Sequence, residues 1–231
     1  MNVKYMLLWL EGNLQSWGAD SKFNRRSTMP FPTRSGILGL VCCALGSGGE
    51  QKELLAIFAP LKQLVISYGN AKTPKTQLRD FHMVCSGYDE KDPWETLHIP
   101  KTSEGKKAVG GGTKLTHRYY LQDAKFAVVM EIPADMSAEL EKAMQHPVWD
   151  LYLGRKNCPP KDFIFRGIFK SKDAAIAAAD EIAGNKELHE QFRVLDGTVD
   201  GGEQITINDM PLQFGKIKKY RDRIITLLKN G

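Results

Sequence analysis

Phe31-Pro32-Thr33-Arg34-Ser35-Gly36-Ile37-Leu38-Gly39-Leu40-Val41-Cys42-Cys43-Ala44-Leu45-Gly46 is the stretch that organises the chain. Residues 37–45 carry no charge on any side, so a helix here must be buried all round, and Gly46 stands where a helix C′ residue belongs. Its two internal glycines predict close backbone packing against neighbours. Upstream, residues 3–10 (Val3-Lys4-Tyr5-Met6-Leu7-Leu8-Trp9-Leu10) read as a strand, and Gln15-Ser16-Trp17-Gly18 opens a polar, basic loop running to Pro32. Downstream, a short helix over about 50–58 stops before Pro60, and Leu64-Val65-Ile66-Ser67-Tyr68 is a second strand. Residues 70–120 are polar and glycine-rich, without sustained periodicity, which inside a compact domain marks a functional insertion or a disordered segment. Ala124–Met130 is a strand. Asp135 is placed to cap a helix with Met136, Leu140, Ala143 and Met144 on one face. Ser171 is placed to cap an alanine-rich helix ending at Gly184, and weak strands follow near 192–196 and 203–208. Strand, helix, helix, strand, insertion, strand, helix predicts an α+β fold of the split βαβ kind, with helices on one face of an antiparallel sheet.

Composition narrows the function classes. With 42% hydrophobic and 26% charged residues the chain reads as an ordinary globular protein, not a fibrous or disordered one. No apolar run reaches the ~18 residues a spanning helix needs. The apolar run near the amino terminus ends at Glu11 with no small-residue cleavage site, so a cytoplasmic protein without membrane contact is expected. Cys42, Cys43, Cys85 and Cys158 lack paired spacing, and the five histidines are scattered; reduced structural thiols and no metal or cofactor are the expectation.

The net charge of +5 is mild, but it is unevenly placed. Segments 19–34, 101–118, 151–172 and 214–231 carry +3, +4, +5 and +5, which leaves −12 on the remaining 157 residues. If the fold brings such segments together, they form one cationic surface for a polyanion. The tail 214–231 is compatible with a helix against a neighbouring subunit or with part of an RNA groove.

Three motifs sharpen this. A helix starting at Thr33-Arg34-Ser35-Gly36 directs free N–H groups and its dipole toward the preceding loop, where Arg34 and Ser35 would add bonds to a phosphate; an ordinary capped core helix is the competing reading, and local physics favours it. Gly154-Arg155-Lys156, in a loop stiffened by Pro159 and Pro160, lets backbone and cations approach a phosphate chain; a basic surface turn is the competing reading. Lys114-Leu115-Thr116-His117-Arg118-Tyr119-Tyr120 interleaves cations with aromatics, as a single-stranded RNA site requires; core packing at a strand start is the competing reading for one of the two tyrosines.

The ordered set formed by Gln15–Gly18, Pro32–Leu40, Leu78-Arg79-Asp80-Phe81-His82, Tyr120–Phe126 and Tyr152–Pro159 closely resembles the Cas-five (CasD-type) family, a subunit of the type I-E CRISPR surveillance complex Cascade. The motifs span roughly residues 1–165. The resemblance implies an RRM-like ferredoxin domain over 1–170 with a long β-hairpin thumb at about 70–120, followed by a carboxy-terminal helix and small β extension over 171–231. It implies a non-catalytic role: gripping the 5′ handle of the crRNA, beside a CasC backbone subunit and the large CasA subunit, with target DNA met indirectly through the complex. On that reading Arg25, Arg26, Arg34, Ser35, Arg155 and Lys156 hold handle phosphates, while Arg79, Lys114 and Arg118 clamp the guide. The alternative, as in type I-C relatives, is a metal-independent endoribonuclease that processes precursor crRNA. His117, Lys114 and Tyr119 would then supply the base, acid and cation needed to activate a 2′-hydroxyl.

Overall fold

The computed structural model describes residues 2–18, 21–22, 24–70, 77–84, 91, 102–106 and 114–229. Its first strand, β1 (Val3–Glu11), is buried along its last six residues. Short strands follow at Leu14–Gln15 (β2), Ser21–Lys22 (β3) and Arg25–Arg26 (β4), then helices α1 (Arg34–Leu45) and α2 (Lys52–Phe58). Strand β5 is Gln63–Gly69, β6 is Gln77–Val84, β7 is Lys114–Gln122 and β8 is Lys125–Pro133. Helix α3 is Ser137–Gln145, β9 is Phe165–Phe169, α4 is Lys172–Asn185, and β10 (His189–Asp196), β11 (Glu203–Gln213) and β12 (Lys219–Lys229) complete the chain.

Seven strands form one sheet in the order β11-β12-β10-β5-β8-β1-β9, with every neighbouring pair antiparallel. The carboxy-terminal strands are therefore a continuation of the main sheet, and residues 219–229 are a strand and not a helix. Alternation along β1 sends Met6, Leu8 and Leu10 to one face, where they meet Ile37, Leu38 and Val41 of α1, Leu55 and Phe58 of α2, and Leu140 and Met144 of α3. Leu7 and Trp9 point to the other face and pack with Ala175, Ala179 and Ala183 of α4. The helices of the split βαβ unit, α1 to α3, thus share one face as the element order predicts, and α4 of the carboxy-terminal extension covers the other. The apolar run Tyr5–Leu10 needs cover on both sides, and the alanine stripe lets α4 lie close against the second face.

Local signals behaved unevenly. Ser171 accepts from the Ala174 N–H and caps α4, and Gly46 closes α1 in the left-handed conformation. Asp135 does not cap α3; the helix begins two residues later and the carboxylate accepts from the Met136 N–H instead.

A second, smaller sheet stands beside the first. Strand β7 pairs with β6 along its length (Gln77↔Leu121 through Val84↔Lys114), with β2 at one end, and with β4 in parallel (Arg25↔His117, Arg26↔Arg118).

Arg34 shows how α1 is tied to the carboxy-terminal strands. Its side chain is wholly buried and donates to Asp196 at 2.8 Å, to the Phe58 carbonyl at 2.7 Å and to the Leu61 carbonyl. Its backbone N–H donates to Asp209 at 2.8 Å. Arg223 in turn holds Asp209 through two bonds, at 2.6 and 2.9 Å, and also pairs with Asp196. Two arginines and two carboxylates form a closed, neutral cluster. Burial lowers the Arg34 pKa, whereas ion pairing outweighs burial at Arg223 and raises it. Arg34 is therefore not a phosphate contact. The capped core helix favoured on local grounds is what forms: Thr33 caps α1, its hydroxyl accepting from the Gly36 N–H, and Asp209 of this same chain accepts from the Arg34 N–H.

Candidate nucleic-acid interface

The Gln15-Ser16-Trp17-Gly18 segment is a latch. The Gln15 amide donates to the Leu10 and Ala124 carbonyls at 3.1 and 2.7 Å and accepts from the Trp17 indole at 3.0 Å. Trp17 is buried against α1; a Cβ on Gly36 would stand 2.7 Å from its ring, so this glycine does permit close packing. The Ser16 N–H donates to the Leu153 carbonyl at 3.0 Å and the Ser16 hydroxyl to the Tyr119 carbonyl at 3.1 Å, joining the 151–158 loop to β7.

That loop carries the basic pair. Gly154 has φ +94°, and a Cβ there would lie 1.8 Å from the Ser16 carbonyl oxygen, so no other residue fits without moving the latch. Arg155 lies over the Tyr120 ring at 4.8 Å and donates to the Arg26 carbonyl at 3.0 Å. Asn157 donates to the Tyr120 hydroxyl at 3.0 Å. Arg155 is thus partly a structural strut, while Lys156 beside it is exposed and has no carboxylate partner among the described residues.

Two concavities meet at this loop. One, of about 900 Å³, lies over α1 and is lined by Ser35, Gly39, Trp149, Arg155, Lys156 and, from the carboxy-terminal strands, Phe214, Lys218 and Tyr220. A Cβ at Gly39 would meet nothing within 4 Å, so this second glycine does not serve close packing; it leaves the floor of the groove open. The other, of about 590 Å³, lies between the loop and the β6–β7 sheet and is lined by Asp80, His82, Arg118, Tyr120 and the same Arg155 and Lys156. The segments 101–118, 151–172 and 214–231, each basic in sequence, therefore each contribute a residue to two adjoining concavities that share Arg155 and Lys156. Burial raises the thiols of Cys42, to about 11, Cys43 and Cys158, which favours their protonated form; Cys85 lies outside the described residues.

A family model described as CRISPR-associated protein (Cas_Cas5) matches residues 5–225. The chain belongs to this Cas5 family. It is 30% identical to the CRISPR system Cascade subunit CasD of Escherichia coli (strain K12), over 73% of this chain and 73% of that protein. Among solved structures it is similar to a chain of a CRISPR RNA-guided surveillance complex, with a TM-score of 0.70 and 26% identity, covering 98% of this chain and 90% of that one. A structure titled Crystal structure of Cas protein superposes with a TM-score of 0.60 at 23% identity, over 97% and 95% of the two chains, and supports the fold alone.

In this Cas5 family member the residues singled out from sequence separate into groups. Ser35, Arg155 and Lys156 line the groove, and Arg118 joins the latter two in the adjoining hollow. Arg25 lies over the Tyr119 ring at 4.9 Å, and Arg79 is the cross-strand partner of Tyr119. By alternation these three share the opposite face of β7 from Arg118. Arg26 is exposed and paired in register with Arg118. The side chain of Lys114 lies outside the described residues. His117 stacks on Phe81, with centroids 5.3 Å apart, and donates its backbone N–H to Asn24. Its ring Nδ1 is buried without a hydrogen-bond partner among the described residues. Sequence reading missed Trp149, Lys218, Tyr220 and the open face at Gly39. The basic run of 214–231 was visible, but its position opposite Lys156 depends on the β11–β12 register.

Proposed function

We propose that this chain is a non-catalytic Cascade subunit whose groove over α1 holds the 5′ handle of the crRNA and caps the backbone of the complex. The four strands in the order β5-β8-β1-β9, with α1–α2 and α3 as their crossovers, fit an RRM-like ferredoxin unit, and the β6–β7 ladder fits the root of a thumb hairpin. The observation that carries the reading is the convergence of separate basic segments on two adjoining concavities, sharing Arg155 and Lys156, that also offer aromatic rings. Cations there neutralise phosphates, and ring faces accept stacked bases. Ser35, Arg155 and Lys156 would contact the handle; Arg118, with Arg25, Arg26 and Arg79 across β7, would follow the RNA toward the guide. A CasC-type backbone subunit and a CasA-type large subunit are the partners this role requires, with target DNA met through the complex.

The endoribonuclease alternative is not favoured, because the His117 ring packs on Phe81 and its Nδ1 has no hydrogen-bond partner among the described residues that could serve with it in 2′-hydroxyl attack. The test uses purified full chain in EDTA with labelled cognate repeat RNA, a 2′-deoxy copy and an unrelated RNA of equal length, with His117→Ala alongside. Tight retention of intact repeat RNA in preference to the unrelated one is expected. Cleavage lost both in the 2′-deoxy copy and in His117→Ala would overturn the scaffold role, and equal retention of both RNAs would overturn handle recognition.

A further inference from the structure

We infer that the turn joining β11 to β12 is the second wall of the groove. In it, Lys218 takes a phosphate, and Tyr220 a base, of the same single-stranded RNA that Lys156 contacts. The inference rests on the handle-binding reading and extends it to the carboxy-terminal strands.

The turn is rigidly placed. Gln213 is buried and its amide donates to the Ile217 carbonyl at 2.9 Å and to Glu50 at 3.1 Å. The Phe214 N–H donates to the Glu50 carbonyl at 2.9 Å, fastening the turn to the loop that follows α1. A wall held this way loses little conformational freedom when a ligand binds. Its charge is also uncommitted. Lys216, Lys218, Lys219 and Arg221 are exposed and none has a carboxylate partner among the described residues. This contrasts with Lys186, which is engaged by Glu11 and Asp162.

The chemistry of the cleft fits a nucleotide better than a bare anion. Lys218, Tyr220 and Lys156 line the same cavity, whose floor is left open at Gly39. Trp149 lines it near the α1 carboxy terminus. It is 48% exposed, its backbone N–H donates to the Cys43 carbonyl at 3.3 Å, and its indole packs over Gly48. Asp150, the one carboxylate lining the groove among the described residues, accepts from the Tyr152 hydroxyl at 3.4 Å. Cations from two separate segments and aromatic rings in one cavity suit a phosphodiester chain whose bases turn inward.

Binding of the full chain to labelled cognate repeat RNA, followed by fluorescence anisotropy across a salt titration, tests this. Lys218→Ala should weaken binding roughly threefold to tenfold and reduce the slope of log K against log salt by about 0.7, the share of one phosphate on a single strand. Lys218→Arg should restore the slope, and Tyr220→Leu should weaken binding roughly tenfold with the slope unchanged. Lys156→Ala is the control for the underlying reading. If Lys156→Ala weakens binding while Lys218→Ala and Tyr220→Leu match the parent chain, the second wall is overturned and handle binding stands. If none of the three alters binding, the groove is not the RNA site and both fall.

Discussion

The family resemblance gives Arg34 and Lys156 the same role, holding handle phosphates, and the fold puts them in opposite settings. Arg34 is sealed among Asp196, Asp209 and two carbonyls; Lys156 stands at the junction of two concavities and forms no ion pair among the described residues. A basic residue serves a polyanion only where the chain has not already supplied an anion of its own. In this protein the carboxy-terminal strands do both. Asp196, Asp209 and Arg223 close the Arg34 cluster, while the β11–β12 turn brings free lysines to the groove.

The largest expected effect comes from opening the closed cluster. Asp209→Ala leaves Arg34 and Arg223 short of a partner in a buried site, and should cost about 3–5 kcal/mol in chemical denaturation, enough to threaten folding. A loss below ~1 kcal/mol would mean the cluster is not what binds α1 to the carboxy-terminal strands. Next is Gly154→Ala, which demands positive φ from alanine and collides with the Ser16 carbonyl. A loss of about 2 kcal/mol or more is expected in thermal unfolding, with weaker RNA binding as the loop shifts. At the open end of the comparison, Lys156→Ala should leave the melting temperature within a degree or two and weaken RNA binding roughly fivefold, read by anisotropy at fixed salt.

Smaller effects sharpen the contrast. Burial opposes ionisation of Glu11 and Asp162, but hydrogen bonds from Lys186 outweigh it and hold both carboxyls below their ordinary ranges; Trp9 also donates to Glu11. With folded values below the unfolded ones, this network adds stability above about pH 4–5 and loses it as pH falls through the folded values. Lys186→Met should therefore cost about 1 kcal/mol at neutral pH and much less near pH 3, measured by urea unfolding at both. Gly39→Ala has the reverse sign: removing a helix-interior glycine should add about 0.5–1 kcal/mol while a methyl intrudes into the groove and weakens RNA binding.

Much of the fold was legible because its signals are local. The unbroken apolar run of β1, the uncharged α1 with Gly46 at its end, and Ser171 ahead of an alanine stripe each state their structure in a few residues. What could not be read depends on pairing across long separations. A carboxy-terminal helix packed on the domain was legible, but that it covers the second face of β1, some 165 residues earlier in the chain, was not. Asp209 as the anion at the α1 amino terminus lies 175 residues from Arg34. The groove was half legible: Gly154-Arg155-Lys156 announced itself by glycine and charge, whereas Lys218 and Tyr220 reach the same cleft only through the register of two terminal strands. Gly36 and Gly39 look alike in sequence, and only tertiary placement shows that one lies under Trp17 and the other opens the floor.

The most direct test of the central claim is photo-crosslinking of the full chain to cognate repeat RNA carrying 4-thiouridine in the handle, with the attached peptides mapped by mass spectrometry. Crosslinks concentrated in peptides containing Trp149, Lys156 and Tyr220 are the predicted result. Crosslinks confined to α4 and the far face of the main sheet, with the groove peptides unmodified, would contradict it.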